Sequence, residues 1–277
     1  DRLTNLLTGT RATSWPDSNS AYSYLSFFFR GEYNYKDLYY AEVAARTDAS
    51  SRFGADHRWG MFWSLGFMWN IKNEAFLKDI EWLTSAQVKL STGTSGNSEI
   101  PYYDHLALVS GDANYNDEAG IYPSQSGNEE LSWEQTWANN VGVSFGLYNR
   151  VNVNVDFYHK KTTNMLMLVP QSYAITGVGN RWDNIGAMMN RGVEIAIDGD
   201  VIRTKDFTWN LSANVSYNKN KLLELYNGVE EYVNSTTGLK YVVGHSVREY
   251  FMNRYAGVNP ANGDALWYTA DGELTTE

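Results

Sequence analysis

Every second residue from Phe207 to Tyr217 is apolar. Phe207, Trp209, Leu211, Ala213, Val215 and Tyr217 fall on one side of an extended chain, and Thr208, Asn210, Ser212, Asn214, Ser216 and Asn218 fall on the other. Side chains alternate between the faces of a strand, so the run predicts a strand with one oily and one wet face. Its twelve residues exceed the roughly 5–6 of an ordinary soluble strand. They reach the about 9–11 that a tilted strand needs to cross a bilayer.

The pattern recurs along the chain. Phe27, Phe29, Gly31, Tyr33 and Tyr35 oppose Ser26, Arg30, Glu32 and Asn34, with Phe28 an exception on the wet side. Tyr39, Ala41, Val43 and Ala45 oppose Glu42 and Arg46, and Trp63, Leu65, Phe67, Trp69 and Ile71 oppose Ser64, Gly66 and Asn70. Ala86, Val88 and Leu90 oppose Ser85, Gln87, Lys89 and Ser91. Val141, Val143, Phe145 and Leu147 oppose Asn140, Gly142, Ser144 and Gly146. Val151, Val153, Val155 and Phe157 oppose Asn152, Asn154, Asp156 and Tyr158, and Val193, Ile195 and Ile197 oppose Glu194 and Asp198.

The connections sharpen the picture. Short links at Lys36-Asp37, Tyr148–Arg150 and Arg203–Asp206, with a longer one at Lys72–Trp82, alternate with long Gly/Asn/Ser-rich stretches. The long ones are Asp48–Trp59, Thr92–Trp133, Val169–Asn190 and everything from Lys219. Short turns on one rim and long loops on the other are the habit of outer-membrane barrels. Tyr33, Tyr35, Tyr39, Trp63, Trp69, Trp133, Trp137, Trp209 and Tyr217, near strand ends, are expected as interfacial aromatic girdles. The expected fold is all-β: about eight long antiparallel meander strands forming part of a transmembrane β-barrel. Residues 1–277 then belong to one barrel domain. The alternative is a secreted, water-soluble β-sandwich that binds glycans, in which the same aromatics form a core.

Composition excludes several functions. The net charge is −10 without a basic cluster in the sequence, which argues against nucleic acid. No stretch approaches the roughly 20 apolar residues of a membrane helix, while the mean hydropathy of −0.45 suits a wall that averages an oily and a wet face. There are no cysteines, and His57, His105, His159 and His245 stand far apart, so no metal site or cofactor is expected. Asp104, Asp112, Asp117 and Glu118 fit no calcium-loop spacing. Neither a G-x-S-x-G elbow nor a phosphate loop is present. Glu129, Glu130 and Glu134 beside Trp133 are the nearest approach to a glycosidase pair, and no enzymatic activity is expected.

The loops and strand ends carry a further signal. Arg46-Thr-Asp-Ala-Ser-Ser-Arg-Phe-Gly54 is followed by Arg58-Trp-Gly60, Ser91-Thr-Gly-Thr-Ser-Gly-Asn97 and Leu131-Ser-Trp-Glu-Gln-Thr136. Then come Asn190-Arg-Gly-Val-Glu194, Asn218-Lys-Asn-Lys221 and Gly257-Val-Asn-Pro-Ala-Asn-Gly-Asp264. In content and order these resemble the motifs of SusC/RagA-type TonB-dependent outer-membrane transporters. Ala49, Trp63 and Ser95 depart from that pattern, at positions expected in loops or at strand starts.

The resemblance implies a barrel of roughly 22 strands with a plugged lumen, of which this chain is the later part. It further implies import of glycans or oligopeptides across the outer membrane of a Gram-negative, Bacteroidetes-like cell. The implied partners are a SusD-like surface lipoprotein, TonB acting through a plug segment outside this chain, the remaining barrel strands or neighbouring chains, and the lipid bilayer. Arg30, Glu32, Glu42, Arg46, Asn152, Asn154, Asp156 and Glu194 are then expected to face the lumen. Tyr102, Tyr103, Tyr115, Tyr122, Tyr173 and Trp182, in long loops, are the candidates for stacking on substrate.

Overall fold

The computed structural model describes residues 19–115, 118–234, 239–247, 249, 252, 254–269 and 271–276. In chain order the strands begin with β1 (Tyr24–Tyr35), β2 (Tyr39–Ser50), β3 (Trp59–Trp69) and β4 (Leu83–Asn97). A hairpin of β5 (Leu108–Tyr115) and β6 (Glu118–Gln125) precedes β7 (Glu134–Leu147) and β8 (Val151–Thr163). Next come β9 (Leu166–Pro170), the single turn α1 (Tyr173–Thr176), β10 (Asn180–Asn184), β11 (Ala187–Arg203) and β12 (Thr208–Glu224). The last are β13 (Glu231–Asn234), β14 (Leu239–Val242), β15 (Arg254–Val258), β16 (Ala265–Tyr268) and β17 (Leu274–Thr275).

One eight-stranded sheet dominates, in the order β1-β2-β3-β4-β7-β8-β11-β12, every pair antiparallel. This is the expected meander. Each of its strands runs past the predicted segment at the long-loop end by two or more residues, β3 for instance beginning at Trp59 and not at Trp63. The loops also contain structure of their own: β5 pairs with β6, β9 with β10, β13 with β14, and β15, β16 and β17 form a small sheet. At the other rim the β1–β2 and β7–β8 turns are tight, while β3 and β4 are joined by the longer segment 70–82. Lys36 and Asp37 both sit at φ +55°, and Tyr148 and Asn149 at +53° and +57°. Positive φ at consecutive residues gives a turn whose twist matches that of the strands it joins.

Register carries the two faces across the whole sheet. Tyr33, Ala41, Phe67, Leu90, Val141, Phe157, Val193 and Tyr217 form one continuous row of partners, one residue per strand. The neighbouring same-face row is Tyr35, Tyr39, Trp69, Val88, Val143, Val155, Ile195 and Val215. Among the described residues no second layer covers this oily face: Trp209 is 49%, Leu211 56% and Val215 68% exposed. That removes the sandwich alternative, which needs these three residues in a dry interior.

The oily band also slides along the strands. On β1 it runs from Leu25 to Tyr35, centred on Arg30, whose line of partners ends on β12 at Asn220. The β12 band, Phe207 to Tyr217, centres on Ser212, eight residues away from Asn220. Seven strand spacings of about 4.8 Å and a drift of eight residues at about 3.4 Å each give a tilt of about 40°. Transmembrane barrel strands tilt by about 35–45°.

The buried core lies at the long-loop end instead of within the sheet. Phe53, Phe62, Ile100, Leu131 and Trp133 cluster there, with Leu166 and Trp182 packed against them.

Candidate functional site: a two-faced wall and its loop rim

The wet face is built by the alternate residues of the same strands. One row reads Asn34, Tyr40, Met68, Lys89, Gly142, Asp156, Glu194 and Ser216. The adjacent row reads Glu32, Glu42, Gly66, Ser91, Asn140, Tyr158, Gly192 and Asn218. Arg30, Glu32, Glu42, Arg46, Asn152, Asn154, Asp156 and Glu194 therefore all share one face. Phe28 is on it too, opposite Arg46 and 81% exposed.

Short-range pairing organises the wet face. Arg30 bridges Glu32 and Glu42, an exposed network of the kind worth at most about 1 kcal/mol per pair. Arg46 Nε donates to the buried Asp48 carboxylate at 2.7 Å. Asn152 Nδ2 donates to Asp198 at 3.0 Å and Lys89 Nζ to Ser144 at 3.2 Å. The Tyr158 ring lies across Gly192, where a Cβ would come within 2.6 Å of its hydroxyl, and so reaches Asn218 Oδ1 at 3.0 Å two strands away. A groove of about 700 Å³ runs over this face between Glu32, Asn34, Tyr40, Glu42, Met68 and Lys89.

At the loop end the motif residues converge. Trp133 inserts between Phe53 and Phe62, ring centroids 5.4 Å from each, and its Nε1 donates to the Arg58 carbonyl at 2.8 Å. Gly54 passes so close to the Glu129 carbonyl that a Cβ would approach its oxygen to 2.0 Å. Glu134 accepts from the Leu166 amide at 3.0 Å and from Asn97 Nδ2 at 3.3 Å, and Glu130 pairs with His57 at 3.0 Å. Asn184 clamps Ser132 by accepting from its amide at 2.7 Å and donating to its carbonyl at 2.8 Å. Residues from five separate segments are thus tied into one cap. Of the three carboxylates beside Trp133, Glu130 and Glu134 are therefore engaged in this cap, while Glu129 contributes its backbone carbonyl.

Trp133 is a correction to the girdle expectation: it is 6% exposed within the cap. The register puts Tyr33, Tyr35, Tyr39, Trp63, Trp69, Trp137, Trp209 and Tyr217 on the oily face. Ala49, Trp63 and Ser95 also need correction, since they lie within β2, β3 and β4 and not in loops or at strand starts. Trp63 points to the oily face, which accepts any bulky apolar group.

The loop aromatics divide by engagement. Tyr102 stacks on Tyr22 at 5.0 Å, and the Arg52 guanidinium lies 5.0 Å from the Tyr102 ring and 5.3 Å from the Tyr22 ring. Arg52 is itself anchored by donating to the Ser98 carbonyl at 2.9 Å. The Tyr103 hydroxyl bonds the Ala21 backbone, and Trp182 packs on the buried cluster. Tyr122, on β6, and Tyr173, opening α1, are 40% and 68% exposed. Tyr115 ends β5; its side chain lies outside the described residues, as do Asp117 and the side chain of Asp112. Beside Tyr103, burial raises the Asp104 carboxyl above the usual range, with His105 opposing. Among the described residues no three His, Asp or Glu groups converge as metal ligands.

Comparison with known proteins agrees with this architecture. The family model described as TonB dependent receptor-like, beta-barrel matches residues 1–275. A TonB-dependent receptor of Formosa agariphila is 37% identical over 219 residues, 79% of this chain and 20% of that protein. The TonB-dependent receptor SusC of Bacteroides thetaiotaomicron is 32% identical over 265 residues, 87% of this chain and 26% of that protein. Among solved structures, the RagAB peptide transporter matches with a TM-score of 0.87 and 36% identity, covering 100% of this chain and 31% of that one. The chain thus spans about a fifth to a quarter of the length of these curated relatives, both TonB-dependent receptors. The SusC/RagA resemblance carried by the motifs is met by both a SusC and a RagAB match, and the chain belongs to the TonB-dependent receptor-like β-barrel family.

Proposed function

We propose that this chain forms barrel wall and outer loops of an outer-membrane, TonB-dependent importer of glycans or oligopeptides. The observation that carries the reading is the pair of unbroken rows, one oily and one wet, running through all eight strands. An exposed oily face of this extent needs a solvent other than water, and strands tilted by about 40° from the normal to that band fit a hydrocarbon layer. The opposite face then borders the passage, with Arg30, Glu32, Glu42, Arg46, Asn152, Asn154, Asp156 and Glu194 as its polar lining. A SusD-like lipoprotein closes the outer mouth, and TonB moves a plug held by other parts of the protein. Tyr122 and Tyr173, candidates that make no ring contact among the described residues, are the side chains offered to substrate; Tyr102, Tyr103 and Trp182 hold the loops that present them.

The chain has no cysteine, so single introduced thiols report cleanly within it. In the intact protein reconstituted in vesicles, an environment-sensitive dye on Val215→Cys or Ile195→Cys is expected to be blue-shifted and quenched by brominated lipid. The same dye on Ser216→Cys or Glu194→Cys is expected to be neither. Equal quenching at all four positions overturns the reading.

A further inference from the structure

The oily face does not end in neutral residues at the loop rim. One row beyond Val141, Phe157, Val193 and Tyr217 the partners are Asn139, His159, Arg191 and Lys219. The next row is Trp137, Lys161, Met189 and Lys221. Both rows lie on the oily face, because each is displaced by two residues along the same strands. His159, Lys161, Arg191 and Lys219 are exposed and Lys221 half-buried. None of the five side chains makes a hydrogen bond or ion pair among the described residues. Neither row holds a carboxylate, in a chain carrying 32 acidic and 22 basic residues.

From this geometry we infer that the outward face of β8, β11 and β12 at the loop rim is a docking site for a phosphorylated lipid of the adjoining leaflet. The inference rests on the membrane reading above. Basic groups just beyond the hydrocarbon edge meet the headgroup layer, where phosphate charge is concentrated and Lys and Arg stems extend towards it. Phe157, Val193 and Tyr217 beneath give acyl chains an apolar surface, and Trp137 flanks the patch at interfacial height. The cations come from three adjacent strands, so several donors converge on one headgroup. Arg191 adds a planar fork suited to phosphate oxygens. On β1 to β3 the corresponding end of the same face is apolar instead, with Phe27, Met61 and Trp59 exposed. The site is therefore confined to one sector of the wall.

The test uses the intact protein in nanodiscs of phosphatidylcholine doped with lipid A, or with lipid A stripped of its phosphates, and counts retained lipid by native mass spectrometry. Retention of the phosphorylated form about ten-fold above the stripped form is expected for the wild type. The K161Q/R191Q/K219Q/K221Q variant is expected to lose that preference, and the K161R/K219R/K221R variant to keep it. A Lys36→Gln/Lys205→Gln control at the opposite rim is expected to leave it unchanged. Equal retention of the two lipid forms by the wild type overturns the inference, as does full retention by the quadruple Gln variant. The dye readings at Val215 and Ser216 separate the two levels: if they hold while lipid preference is absent, the docking site alone fails.

Discussion

At the scale of single residues, the cap at the loop end is held by contacts between positions far apart in the chain. Trp133 reads as a girdle aromatic because it stands where a strand starts. The structure buries it against Phe53 and Phe62 and bonds it to Arg58, 75 positions away, a contact that no spacing rule reveals. Gly54 shows the same dependence on remote chain. Its φ is −55°, so glycine is required there by the Glu129 carbonyl and not by the backbone angle. Gly54→Ala should force the cap apart at a cost of about 1–3 kcal/mol, the range for overpacking. The expected readout is faster proteinase cleavage within residues 51–58 and 126–133, with barrel assembly on a heat-modifiability gel unchanged; equal cleavage rates would show that the backbone yields freely. Asp104 supplies a pH-dependent case. Its carboxyl is raised by burial, so the ionised form is disfavoured in the folded loop relative to the unfolded one. The loop is then most stable below the ordinary aspartate range near pH ~4, and loses stability as pH rises through the raised value. Asp104→Asn should slow proteolysis of residues 98–107 a few-fold at pH 7.5, with the difference vanishing at low pH. A gain that grew on acidification would reverse the sign and refute the assignment.

At the scale of elements, alternation located all eight sheet strands but stopped short at their outer ends. Ser91 to Asn97 shows why. Both faces of this stretch are polar or glycine, yet it pairs without interruption with β7, down to Asn97 opposite Glu134. Alternation reports a difference of environment across a strand, and where the wall rises above the membrane both faces are wet, so the pattern fades while the ladder continues. The loop hairpins were hidden for a different reason. Leu166-Met167-Leu168-Val169 is a continuous apolar run, and β13 and β14 are four residues each, too short for a period to emerge. The faces themselves give a direct test. Val215 and Ser216 are sequence neighbours in β12 on opposite faces, both exposed in this chain alone. A lysine at mid-membrane on the lipid side costs about 2–4 kcal/mol, whereas one facing water costs little. Val215→Lys is therefore expected to reduce assembled protein in the outer membrane several-fold, with Ser216→Lys near wild type. Equal losses would refute the facing assignment, and the reverse order would invert it.

At the scale of the whole molecule, the sheet is open. Among the described residues β1 pairs only with β2 and β12 only with β11. Each edge therefore presents a row of unpaired backbone groups twelve or more residues long, beside aromatic and aliphatic side chains that nothing covers. Exposed edges of that length template pairing with other chains, and in hydrocarbon every unpaired amide or carbonyl is costly. An eight-stranded sheet could in principle curl until β1 met β12. The drift of the oily band argues against closure: Tyr33 and Tyr217 share a row, yet Tyr33 lies near the turn-side limit of its band and Tyr217 at the loop-side limit of its own. Pairing the two edges along that row would break the belt by about 27 Å. Further strands between them are what allows the belt to run level round a larger barrel. Residues 1–277 expressed alone are thus expected to stay dispersed only in detergent and to associate on its removal, as sedimentation velocity would show. The same strands within the intact protein should remain monodisperse in lipid. A freely soluble monomer of the isolated chain, melting cooperatively without detergent, would mean that both edges and the oily face find partners within this sequence, and the barrel-wall reading would be lost with it.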